Sequence, residues 1–117
     1  MRMNPPTRID ETTAAAMRLF MERISVDYET AGAILFGSRA RRTHRADSDA
    51  DVAVLLSGAH ARFLPTKLAM SDVAFGVLLE TGINISPFPV WLDEWAHHEC
   101  CSNPELLRSI AREGVCL

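Results

Sequence analysis

The chain has 117 residues with 12 Lys and Arg against 15 Asp and Glu, for a formal net charge of −3. At 48% hydrophobic and 23% charged residues it is composed like a folded globular domain, and its length leaves room for one core only. The balance argues against a dedicated binder of long nucleic acid, which is usually basic, and the longest apolar stretch, Val73 to Leu79, is too short to cross a bilayer.

Residues 1–8 contain Pro5 and Pro6 and are expected to form a flexible leader, followed by a single domain over 9–117. The leader carries no apolar run of the secretory kind. Three cysteines without framework spacing, Cys100, Cys101 and Cys116, fit a reduced, cytoplasmic protein.

From Ile9 to about Ser25, Thr13, Ala16, Met17, Phe20 and Ile24 recur at three- or four-residue steps, the pattern of an amphipathic helix, with Thr7 or Asp10 able to cap it. Ala31 to Phe36 is a short apolar run stopped by Gly37-Ser38 and reads as a buried strand. Asp51 to Leu56, stopped by Ser57-Gly58, reads as a second. Between Arg62 and Thr81 a helix is predicted, with Leu64, Leu68, Phe75, Leu78 and Leu79 on one side and Gly82 closing it.

Ile83 to Ser86 alternates like a strand, and Pro87 and Pro89 restrict it to a sheet edge or make it leave the sheet. Trp91 to Cys101 is ambiguous, with Trp91 and Trp95 one helical turn apart, either in the core or as an anchor for a partner. Asn103-Pro104-Glu105 opens a last helix to Glu113, with Gly114 behind it. The fold class is α/β (α+β): a small mixed β-sheet with helices packed on it.

The segment richest in chemistry runs from Gly37 to Val54. Gly37-Ser38 lies where a strand ends and a short helix begins, a place where backbone N–H groups and a hydroxyl meet a phosphate. Alone, such a pair is an ordinary turn. Four of the 12 basic residues, Arg39, Arg41, Arg42 and Arg45, follow within seven positions, either solvated or able to grip phosphates through forked hydrogen bonds. His44 is read as an exposed loop residue.

Asp49 and Asp51, two apart at the entrance to a strand, project to one face. They are either a solvated turn or a pair of hard oxygen ligands whose mutual repulsion a divalent cation relieves. With a phosphate cradle beside them, magnesium is favoured over zinc. The run His97-His98-Glu99-Cys100-Cys101 contains zinc-ligand types. Adjacent residues cannot all turn to one ion, however, and packing of Cys100 inside with the histidines facing water is the expectation.

Gly-Ser, an arginine-rich stretch, then Ser48-Asp49-Ala50-Asp51 leading into Val52-Ala53-Val54 resembles the signature of the DNA polymerase beta-like nucleotidyltransferases, in particular the minimal nucleotidyltransferases. The similarity extends over nearly the whole chain, with its specificity in residues 34–56. It implies a palm-like nucleotidyltransferase fold. It further implies that Gly37 and Ser38, aided by Arg39 and Arg41, hold the phosphates of a nucleoside triphosphate while Asp49 and Asp51 bind Mg2+ and carry the catalysis.

The implied reaction is transfer of AMP from ATP to a hydroxyl of a partner protein, as in antitoxins paired with HEPN-type toxins. An RNA hydroxyl and a small molecule such as an aminoglycoside are the other acceptors. Transferring members usually carry a third carboxylate on a neighbouring strand. Here the strand from Ile83 to Val90 offers the neutral Asn84 and Ser86, and Asp93 and Glu94 follow only later. A module of the same fold that masks a toxin without turnover is the alternative.

Overall fold

The computed structural model describes residues 9–41, 43–45, 47–97 and 103–117. The expected leader, Arg42, His98, Cys100 and Cys101 lie outside the described residues.

Helix α1 spans Glu11–Ile24 and starts where Asp10 caps it, accepting from Thr13 N. Thr13, Ala16, Met17, Phe20 and Ile24 are buried, as their spacing predicts. Strand β1 is Thr30–Phe36, the single-turn helix α2 is Ser38–Arg41, and strand β2 is Ala50–Leu56. Helix α3 runs from Phe63 to Thr81 and stops at Gly82, whose φ of 79° is the left-handed conformation that glycine adopts without strain. Strand β3 is Ile85–Trp91, α4 is Leu92–Ala96, α5 is Pro104–Glu113 and β4 is Val115–Cys116.

The strands form one four-stranded sheet in the order β3-β2-β1-β4. Strands β1 and β2 are antiparallel, with Leu35 opposite Val52 and Phe36 opposite Asp51. Strand β3 runs parallel to β2, with Asp51 opposite Ser86 and Leu56 opposite Trp91. This is a small mixed β-sheet with helices packed on it, the fold class expected from the sequence.

Side chains alternate between the two sides of the sheet. One side carries Leu35, Val52, Val54, Leu56 and Ile85, which join Met17 and Phe20 of α1 and Met70 and Val77 of α3 in the larger core cluster. The other carries Ile34, Ala53 and Val90, which pack with Leu107 and Ile110 of α5 in a smaller one.

Three features go beyond the sequence expectation. Helix α3 turns Thr66, Met70, Ala74 and Val77 inward, while Leu64, Leu68, Phe75 and Leu79 are exposed. The helix is apolar on two sides, and the side with the smaller residues is the one that packs.

Strand β3 takes the edge position that was one of its two expected alternatives and continues through both prolines to Trp91. Residues two apart direct their backbone polar groups the same way, so both missing N–H donors fall on the unpaired outer edge. There Lys67 Nζ donates to the Pro87 carbonyl at 2.7 Å. The third is β4, which the short Val115-Cys116 segment does not signal and which adds to β1.

Trp91 is buried at 3% exposure and stacks on the His60 ring with centroids 4.5 Å apart. Trp95 packs against the smaller cluster. The core reading of the pair is the one realised. Among the described residues, no helix is long and apolar enough to cross a membrane.

Candidate functional site

The site forms where β1 ends, α2 begins and β2 enters the sheet. Gly37 turns the chain with φ 76°. The positive φ is what favours glycine here, and the missing Cβ leaves the space that Asp51 Oδ2 occupies. The Gly37 carbonyl accepts from Ala40 N at 3.1 Å and Arg41 N at 3.2 Å, which closes α2 directly onto the end of β1. Ser38, at the first position of α2, is partly exposed beside this turn.

Asp51 is half-buried and Asp49 exposed. Burial pushes the Asp51 carboxyl above the ordinary aspartate range, and the neighbouring Asp49 charge pushes it further. Lys67 and Arg41 oppose both effects. An Asp49 charge that raises the cost of ionising Asp51 marks a focus of negative potential that a cation relieves. Asn84 Nδ2 donates to Asp49 Oδ1 at 3.2 Å, and Ser86 stands opposite Asp51 in the register.

The positions nearest the acidic pair, Asn84 just before β3 and Ser86 within it, are therefore an amide and a hydroxyl. Asp93 and Glu94 do not take their place. They lie in α4, beyond Trp91, which pairs with Leu56 at the far end of β2, five residues or about 17 Å along the strand from Asp51. Glu94 Oε1 accepts from Trp91 N at 3.1 Å, and Asp93 Oδ2 lies 3.5 Å from His60 Nδ1. Among the described residues, no three His, Cys, Asp or Glu side chains converge as a metal-ligand group. Two carboxylates nevertheless suit magnesium, which is usually bound by one or two carboxylates with water and substrate phosphates completing its shell.

The arginines separate into two kinds. Arg41 is exposed, 3.7 Å from Glu113, and close enough to influence Asp51. Arg39 is only 3% exposed and is therefore not the solvated loop arginine that was one of its two expected roles. Its Nε donates to the Ser48 carbonyl at 3.0 Å and its Nη1 to Thr13 Oγ1 at 2.9 Å. Thr13 Oγ1 in turn donates to Asp10 Oδ1 at 2.8 Å. Arg39 thus ties the start of α1 to α2 and to the loop that delivers Asp49.

His44, expected to be an exposed loop residue, belongs to the same cluster, with Nε2 3.7 Å from Asp10 Oδ1 and its side chain 19% exposed. Arg45 and Asp47 stay exposed on the loop, and His97 is exposed. Sequence reasoning missed the Asp10–Thr13–Arg39 network because Arg39 lies 26 positions from Thr13. The one available signal was a cap residue, Asp10, preceding a threonine at a core position.

No curated protein matches the chain. Residues 21–85 match the family model described as Polymerase beta, Nucleotidyltransferase. The match runs from the latter part of α1 through the Gly37 turn and the Asp49–Asp51 pair to the first residue of β3, and nucleotidyl transfer is the general chemistry it points to. Spanning more than half of the chain, it places this protein in the polymerase beta nucleotidyltransferase family.

Proposed function

We propose that this chain is a magnesium-dependent nucleotidyltransferase that moves AMP from ATP to a hydroxyl of a partner protein, and that it acts in the cytoplasm as the antitoxin of a HEPN/MNT-type pair. The observation that carries the reading is the packing of Asp51 against the Gly37 turn with Asp49 on the same side. It sets Asp51, with the Asp49 charge close to it, beside a backbone position where the absence of a Cβ allows close approach.

In this reading Gly37 and Ser38 hold the β and γ phosphates, and Arg41 adds an exposed positive charge at their edge. Asp49 and Asp51 hold Mg2+, which when bound supplies charge stabilisation at the phosphates. Asn84 keeps Asp49 oriented through its amide. Arg39 acts from behind by fixing the loop before Asp49.

Ser86 opposite Asp51 favours a second reading, because a hydroxyl is a poor base at neutral pH. Either the partner brings the group that accepts the proton of the attacking hydroxyl, or the chain neutralises its toxin by binding alone.

Coexpression with the product of the adjacent reading frame, followed by intact-mass measurement of that partner, separates the two. A gain of one or more AMP units, lost with Asp51→Asn, is expected for the transferase. A stable complex with unmodified partner in both cases would leave the masking module. Thermal shift adds a direct readout, since Mg-ATP should stabilise the wild type and not Asp51→Asn.

A further inference from the structure

Helix α3 carries two apolar stripes. Thr66, Met70, Ala74 and Val77 face the sheet, whereas Leu64, Leu68, Phe75 and Leu79 are 59%, 58%, 58% and 70% exposed. At about 100° per residue the outer four fall within an arc of about 60°, on the side of the helix away from the buried four. Among the described residues, five of the eight exposed large apolar side chains belong to this helix, counting Phe63 at its start.

Helix α1 packs on the same side of the sheet and shows the ordinary arrangement. Its exposed positions include Glu11, Thr12, Arg18 and Glu22. A helix with an apolar stripe on its outer side usually has a partner for it.

The stripe has a symmetry that selects the partner. Leu64 and Leu79 are equidistant from the midpoint between Ser71 and Asp72, and so are Leu68 and Phe75. A two-fold axis through that midpoint lays a second α3 antiparallel on the first. Leu64 then meets the partner's Leu79, and Leu68 meets the partner's Phe75. Such self-complementarity is what an isologous contact requires.

We propose that the outer face of α3 joins two copies of this chain in a two-fold dimer through an antiparallel pair of α3 helices. Over the roughly 22 Å of helix between Leu64 and Leu79 the contact lies at the low end of specific interfaces, near about 1,000 Å² in total. Asp72 is exposed at the rim of the stripe, and the axis brings it towards the partner's Asp72. That repulsion weakens the pair and keeps it reversible. The contact lies on the opposite side of α3 from the sheet, and Asp51 projects from the other sheet face, so both candidate active sites stay open in the dimer.

Sedimentation equilibrium of the full chain over about 1 to 200 micromolar tests this, with a dissociation constant on the order of 10 micromolar expected. Phe75→Glu should abolish association, and Asp72→Asn should tighten it severalfold. Leu79→Glu, at the most exposed of the four positions, provides a second disruptive variant should Phe75→Glu fold poorly by circular dichroism.

A monomer throughout the range overturns the proposal and leaves the stripe to a different protein. A dimer that survives both glutamate variants places the contact elsewhere. A dimer that the glutamates break but Asp72→Asn weakens would refute the two-fold register.

Discussion

On the sheet side that carries Val52, Val54 and Leu56, α1 and α3 lay down a continuous core with Phe20, Met17, Met70 and Val77 at or near zero exposure. On the side that carries Asp51, Ala53 and Leu55, the helical cover comes from α5, whose Leu107 and Ile110 reach Ile34, Ala53 and Val90. Towards the Gly37 end this second side stays open, and Phe36, Asp51, Ser86 and Phe88 are all partly exposed there. Full cover makes the first face a source of stability. Incomplete cover leaves the second with a polar, charged corner that a ligand can enter.

The sharpest way to break this division is to damage the closed face and look for an effect on the open one. Phe20 is fully buried, and Phe20→Ala should cost about 3–5 kcal/mol of stability through lost burial and a residual cavity. Chemical denaturation gives the stability, and calorimetry with Mg-ATP gives the binding. Unchanged affinity in the folded fraction is expected. A parallel loss of affinity would show that the two faces are coupled.

Arg39 and Arg41 sharpen the comparison, since both lie in the same short helix. Arg39→Met removes buried hydrogen bonds to Thr13 and Ser48 and should cost about 2 kcal/mol. Arg41→Met, at the surface, should leave stability nearly unchanged and weaken nucleotide binding. If Arg39→Met instead lowered affinity without lowering the denaturation midpoint, the assignment of Arg39 to the scaffold would fail.

The smallest expected effect concerns the signs of two carboxylates. Burial raises Asp10, but the side-chain and backbone hydrogen bonds of Thr13, with His44 and Arg39, outweigh it, so its net displacement is below the ordinary value of 3.8. A depressed carboxyl stabilises the fold above its unfolded pKa and loses that contribution as pH falls through the folded one. Asp51 is displaced upward, so its ionisation costs stability above the folded pKa, and the cost disappears as pH falls below 3.8.

At neutral pH and in the presence of a chelator, Asp10→Asn should therefore lower the melting temperature and Asp51→Asn should raise it. Both differences should shrink towards about pH 3. Shifts of the same sign would contradict the contrast between the cap and the acidic pair.

Much of this molecule is legible along the chain. Local chemistry fixes α1, its Asp10 cap, the two central strands, the Gly82 stop and the Asn103-Pro104 start of α5, because each depends on residues within a turn or two of one another. The site motif is equally local, as Gly37-Ser38 ends one strand and Asp49 and Asp51 begin its neighbour. Antiparallel pairing of adjacent strands then brings the motif together, with Phe36 opposite Asp51.

The apolar period of α3 was visible, but two stripes share it, and only the shape of the sheet selects the one with Thr66 and Ala74 for close packing. The burial of Arg39 depends on Thr13, 26 residues earlier, and no local pattern reports a hydrogen bond across that separation. Strand β3 survives Pro87 and Pro89 because it lies at an edge, and β4 exists because β1 offers one. The sequence by itself determined α1, the central strands, α3, α5 and the residues gathered at the Gly37 turn. Tertiary structure alone decided which helix face is buried and which arginine serves the scaffold, since each depends on neighbours distant in the chain.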